Sequence, residues 1–118
     1  MRVKRSVNAR KKRRATLERT KGFRGEAHSN YKRAKEALLK AESYAYRDRR
    51  NRKRDFRRLW ITRINAAARE CGMSYSQLIH GLILAGVTLD RKVLADIAVR
   101  DPETFRRFAD AAREASAA

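Results

Sequence analysis

Between Arg47 and Arg58, eight of twelve residues are Lys or Arg and two are Asp. The cations are Arg47, Arg49, Arg50, Arg52, Lys53, Arg54, Arg57 and Arg58. Tyr44, Tyr46 and Phe56 stand in or beside the run, and Trp60 closes it. A guanidinium offers a planar fork of donors that grips a phosphate through two hydrogen bonds and also stacks on a base. The chemistry available here is therefore polyanion binding. Other reactive side chains are scarce. His28 and His80 are solitary, there is one cysteine, Cys71, and no carboxylate cluster has ligand spacing, so no metal centre is expected. Cys71 has no histidine near it in sequence. No phosphate-binding loop, nucleophile elbow or pair of catalytic carboxylates is present, so neither an enzyme nor a cofactor is expected.

The charge run constrains its own conformation. On a helix, Arg49 faces Lys53, Arg50 faces Arg54, Lys53 faces Arg57 and Arg54 faces Arg58. Each such like-charge pair costs ~0.2–0.5 kcal/mol. Asp48 and Arg52, at favourable spacing, offset one of them. Side chains step by about 100° per residue, so twelve residues are expected to spread cations widely around the helix. A membrane surface or a single protein groove neutralises one side only. Duplex DNA in its major groove, or folded RNA where helices converge, supplies phosphate on several sides. Tyr44 and Tyr46 either shield helix backbone or stack on unpaired bases. Phe56 and Trp60 read as a lid on the core.

The charge divides the chain. Of 118 residues, 31 are Lys or Arg and 13 are Asp or Glu, for a net charge of +18. Residues 1–69 carry 25 Lys/Arg against 6 Asp/Glu, and residues 70–118 carry 6 against 7. Large aliphatic residues are sparse before Leu59 and frequent after it. This pattern predicts an all-α protein: an extended basic N-terminal arm, one long helix, and a small C-terminal helical bundle. The predicted parts are a basic arm and long helix at 1–55 and a compact four-helix domain at 56–118. The first part has little to bury and is expected to need an external partner to become ordered. The lone cysteine fits a reducing compartment. No apolar run approaches the ~20 residues of a membrane span, so no membrane partner is expected. The basic start lacks the apolar segment of a secretory signal, and its basicity continues too far for a transit peptide.

Local signals place the elements. Residues 1–21 are mostly cationic and predict a helix from about Asn8 with no face to bury; "KGFRG" at 21–25 then breaks it. A cap at Ser29 or Asn30 opens the long helix, with Ala34, Ala37, Leu38, Ala41 and Ala45 as a narrow stripe. No glycine or proline interrupts it before Gly72, although a bend near Asn51 remains open. Leu59, Trp60, Ile61, Ile64, Ala67 and Ala68 carry it into the core. "SYSQ" from Ser74 to Gln77 reads as a capping box, followed by a buried face of Leu78, Ile79, Leu82 and Ile83 ending at Gly86. A third helix starts at Asp90 and buries Val93, Leu94 and Ile97. A fourth has Asp101 as cap, Pro102 at its first position and a stripe of Phe105, Phe108, Ala109 and Ala112.

The stretch "AYRDRRNRKRDFRRLWITRINAAAR" at 45–69 resembles the signature of the bacterial large-subunit ribosomal protein numbered twenty, the bL20 family. "RVKRSVNARKKRRATLERTKGFRG" at the start and "LDRKVLADIAVRDP" at 89–102 resemble it too, so the likeness covers nearly the whole chain. The resemblance implies a structural protein of the large ribosomal subunit that binds 23S rRNA directly, acts early in subunit assembly, and in some members represses translation of its own messenger. It implies 23S rRNA and neighbouring large-subunit ribosomal proteins as partners, no small-molecule substrate, and a cytoplasmic place in a bacterial or plastid ribosome. By position, it assigns RNA contacts to Arg2, Lys4, Arg5, Arg10, Lys11, Lys12, Arg13, Arg14, Lys21, Gly22, Phe23 and Arg24, and to the eight cations of the central run. In the C-terminal body, Asn65, Arg69, Ser74, Ser76 and Arg91 are further candidates for RNA contact because they are polar and near helix ends. Cys71 and His80 depart from the family pattern and receive no role. The competing reading is a DNA-binding regulator or nucleoid protein whose second and third short helices mimic a helix-turn-helix. The few base-reading side chains in "HGLILAGVTLDRKVLADIAV" argue against it.

Overall fold

The computed structural model describes residues 2–118. Among the described residues there are helices and connections only, and the fold is all-α. In order they are α1 (Ser6–Arg19), a 3₁₀ turn (Gly25–His28), α2 (Tyr31–Glu70), α3 (Tyr75–Leu84), α4 (Arg91–Arg100) and α5 (Pro102–Ala117). The chain divides into two units, one ending at Arg50 and the other Asn51–Ala118.

In the first unit, α1 begins two residues before the predicted start and buries none of its own residues. Its order is anchored at the C-terminal side. Thr20, the residue after α1, is fully buried, and its hydroxyl donates to the Leu17 carbonyl. Ala34 on α2 is also fully buried, while Leu17, Phe23, Ala37 and Leu38 are half-buried. Arg19 pairs with Glu42, and Arg13 lies 5.7 Å from the Tyr31 ring centroid. Small residues at the turn thus give α1 a foothold that its cationic sequence does not suggest. The cap of α2 is Asn30, whose side-chain oxygen accepts from the Lys32 amide.

In the second unit, Ile64 and Ala68 of α2, Met73, Leu78 and Leu82, Leu94 and Ala95, and Phe105, Ala109 and Ala112 form one core. The helix ends follow local chemistry. At the end of α2, Gly72 takes φ 75° and donates to the Arg69 carbonyl, while Met73 donates to Ala68. At the end of α3, Gly86 takes φ 70° and donates to Ile83, while Val87 donates to Leu82. Both are Schellman closures, and each delivers an apolar residue, Met73 or Val87, back to the core. Ser74 and Gln77 form the expected capping box. Asp90 caps α4 through Val93, and Asp101 caps α5 through Thr104.

The apolar stripes are narrower than their spacing predicts. Ile83 is 67% exposed, Val93 41% and Leu59 41%. On α3 the buried face is Leu78, Gly81 and Leu82, because α3 lies so close to α5 that a glycine marks the crossing. A Cβ on Gly81 would stand 2.7 Å from the carbonyl carbon and 2.8 Å from the Cβ of Ala112. The face therefore centres on Gly81 and turns Ile83 outward. Phe56, expected as a core lid, is 48% exposed; its ring lies 6.1 Å from Trp60, which does pack on the core.

Gly81→Ala forces methyl against backbone and is expected to lower the unfolding free energy by at least about 1–3 kcal/mol, measured by urea titration with Trp60 fluorescence. The Asp101 carboxyl sits below its ordinary pKa, chiefly through the Thr104 hydroxyl (2.6 Å) and then the Thr104 amide. Its contribution to stability is complete above the unfolded carboxylate value and is lost as pH falls through the folded one. Asp101→Asn should accordingly make the melting temperature fall less steeply across the acid range.

Candidate nucleic-acid interface

The cations of the first unit lie on three kinds of backbone. Arg2, Lys4 and Arg5 precede α1 and are exposed. Arg10, Lys11, Lys12, Arg13 and Arg14 are consecutive on α1, so they surround it, and all are exposed. Lys21 and Arg24 flank the turn into the 3₁₀ segment. Gly22 (φ 85°) and Gly25 (φ 67°) both take the left-handed conformation that glycine tolerates, with open space beside them. Phe23 is half-buried against the protein, so it is only partly free to meet a ligand.

Over residues 42–59 of α2 every side chain is exposed except that of Asn51, which is half-buried. This length of helix gains almost nothing from packing. Its partners are other surface groups. The Arg47 guanidinium lies 4.7 Å from the Tyr44 ring centroid, and its Nε donates to Asp48 Oδ1 at 2.8 Å. That hydrogen bond raises Arg47 above its ordinary pKa and lowers Asp48. Asp48 is thus engaged by Arg47 rather than by Arg52 at helical spacing, since a guanidinium folded back over Tyr44 brings Nε within reach of the next residue. Arg58 stands 3.8 Å from Asp55. Among the described residues, Arg49, Arg50, Arg52, Lys53, Arg54 and Arg57 have no carboxylate within ion-pair distance, and the same holds for Arg2, Lys4, Arg5, Arg10 to Arg14, Lys21 and Arg24.

The structure adds residues that the sequence reading omitted. Arg33 and Lys40 join Arg24 around an open groove of about 520 Å³, with Glu26 and Glu36 on its rim. Their seven-residue spacing along α2, two turns on one face, was the available signal.

The body residues are treated unequally. Arg91, the first residue of α4, is half-buried and donates from Nε to the Tyr75 hydroxyl at 2.8 Å; Ser76, near the start of α3, is exposed. Ser74 is exposed, but its hydroxyl is engaged in the α3 cap. Asn65 is half-buried and Arg69 exposed on the last turns of α2, and no hydrogen bond joins either to the Arg91 group. Arg113 contributes structurally, donating to the Cys71 carbonyl at 2.7 Å across 42 residues of chain.

No helix of the described residues is long and apolar enough to cross a membrane, and they hold no group of three or more His, Cys, Asp or Glu arranged for a metal ion. What they define is an all-helical protein with a neutral core and a surface of uncompensated cations. Residues 2–108 match the family described as ribosomal protein L20. Proteins named large ribosomal subunit protein bL20 are similar over nearly the full length. The one from Roseiflexus sp. (strain RS-1) is 60% identical, covering 97% of both chains. That from Rubrobacter xylanophilus is 58% identical over 97% of this chain and 86% of its own, and that from Thermosipho africanus 53% over 98% of both. The chain belongs to the ribosomal protein L20 family, a family of structural proteins and not of enzymes.

Because α2 packs against so little between Glu42 and Leu59, its amides there are expected to exchange within the fastest class of the free protein, and α3 to α5 within the slowest. Strong protection of Arg47–Arg58 without nucleic acid, in a hydrogen-exchange experiment, contradicts this.

Proposed function

We propose that this protein is a structural constituent of the large ribosomal subunit that binds 23S rRNA directly and locks converging RNA helices early in subunit assembly. The observation that carries the reading is the ring of unpaired cations around α1 and the broad arc of them, roughly 200° wide, over residues 49–57 of α2, opposite the face of Asp48, Asn51 and Asp55. A helix charged over most of its circumference and packed on little is stabilised by phosphate arriving from several directions. Each phosphate neutralised releases counterions, which supplies the free energy that the isolated segment lacks. The family and the names of the similar proteins support the ribosomal partner.

In this reading the basic arm and long helix, about residues 1–55, take their final order on rRNA, and the compact domain folds unaided. The left-handed glycines of "KGFRG" allow backbone to pass close to phosphate. Arg91 and Ser76 offer a smaller second contact from the body. Neighbouring large-subunit proteins adjoin it, within a bacterial or plastid ribosome in the cytoplasm or organelle. Repression of its own messenger would be the same binding directed at a second RNA.

A DNA-binding regulator is disfavoured because the unpaired cations lie on α1 and α2, outside the α3–α4 pair that would mimic a helix-turn-helix, and α3 would be the helix that crosses the DNA backbone. It carries no Lys or Arg and exposes Ile83 and Leu84. Gel-shift competition at moderate salt is expected to show large-subunit rRNA fragments displacing random duplex DNA, whereas equal affinity overturns the rRNA reading. Arg50→Ala with Arg54→Ala should weaken RNA binding and reduce the salt slope by about one to two. Unfolding of the C-terminal body should be unchanged.

A further inference from the structure

Tyr44 and Tyr46 are two positions apart, so they leave α2 on nearly opposite sides, about 200° around the axis. Both are exposed, at 46% and 54%, yet neither ring is free. Tyr44 has the Arg47 guanidinium 4.7 Å and the Lys40 ammonium 5.7 Å from its centroid. Tyr46 has Arg50 at 4.1 Å and Arg49 at 5.9 Å. Arg47 also gives its Nε to Asp48 Oδ1 at 2.8 Å, which leaves its Nη groups as donors, whereas neither Arg50 nor Arg49 has a carboxylate within ion-pair distance among the described residues.

A guanidinium stacked on a ring keeps its in-plane donors directed outward. The ring neutralises none of its charge, and the ring quadrupole restrains its position. An arginine on a bare helix must lose rotamer freedom when it grips a phosphate, whereas a stacked one has lost part of it beforehand. We propose that Tyr44 and Tyr46 are positioning residues: they hold Arg47 and Arg50 ready for backbone phosphate on two sides of α2, and they do not stack on bases. This deepens, and rests on, the reading of α2 as an RNA-binding helix. It also resolves the choice that the sequence leaves open between tyrosines that shield helix backbone and tyrosines that stack on bases.

The test uses the full chain, with both tyrosines changed to Leu or both to Phe, and three probes: a 20-base-pair RNA duplex, oligoadenylate RNA, and inorganic polyphosphate, which has no bases. The Leu variant is expected to bind all three about three- to tenfold more weakly. Its salt slope should be unchanged, since no charge is removed. Circular dichroism of the free protein should be equal among variants. The Phe variant, which keeps the π face, should bind like the wild type. In the free protein, the Arg50 side-chain resonances should lose their ring-current shift with Leu and keep it with Phe. A loss confined to oligoadenylate, with polyphosphate binding untouched, means base stacking and overturns the proposal. A Phe variant as weak as the Leu variant also overturns it. The polyphosphate comparison does not depend on which nucleic acid is native, so a failed preference for rRNA would remove the ribosomal reading and leave this result to be judged separately.

Discussion

The molecule is governed by charge that it does not neutralise. Its cations outnumber its carboxylates by 18, and the excess lies before residue 70. Surface ion pairs are weak even when formed, and few form along the central run. What holds α2 helical there is backbone hydrogen bonding with little packing beneath it. A polyanion changes that balance, because each bound phosphate converts a repulsive neighbour into a bridged one. The tyrosine stacks belong to the same logic. They do not reduce the charge; they fix where part of it points.

The C-terminal body solves the opposite problem. It is nearly neutral and small, so it relies on tight local closures around a compact core. Two Schellman turns return Met73 and Val87 to that core, and a side-chain cap opens each of α3, α4 and α5. Gly81 lets α3 and α5 approach until backbone meets backbone, and Arg113 ties α5 to the turn after α2. These closures and contacts all lie within the second unit.

Much of this was legible in the residues because the governing signals are local. A capping box, a glycine with positive φ or a proline at the first helical turn acts within four or five residues. Ser74, Gly72, Gly86, Asp90, Asp101 and Pro102 therefore mark helix boundaries correctly before any packing is known. The cationic run was equally plain, as charge is a property of composition. The candidate site was less complete. Arg33 and Lys40 stand at the same groove as Arg24, but their acidic neighbours hide them in a charge count. Phe23, which the resemblance assigns to RNA, is half-buried.

Sequence alone thus determined the helical class, the long uninterrupted helix, the helix ends, the polycationic front and the neutral rear, for each follows from neighbours along the chain. Tertiary structure decided which apolar residues became core. Leu82 and Leu94 are buried while Ile83 and Val93 are exposed, and periodicity treats them alike. On α3 that choice depends on how closely the helix meets α5, which is set by an absent side chain at Gly81 opposite Ala112. It also decided the pairing of Arg91 with Tyr75 and of Arg113 with the Cys71 carbonyl. Contacts across 16 and 42 residues leave no mark in local spacing, because only folding brings the two groups within reach.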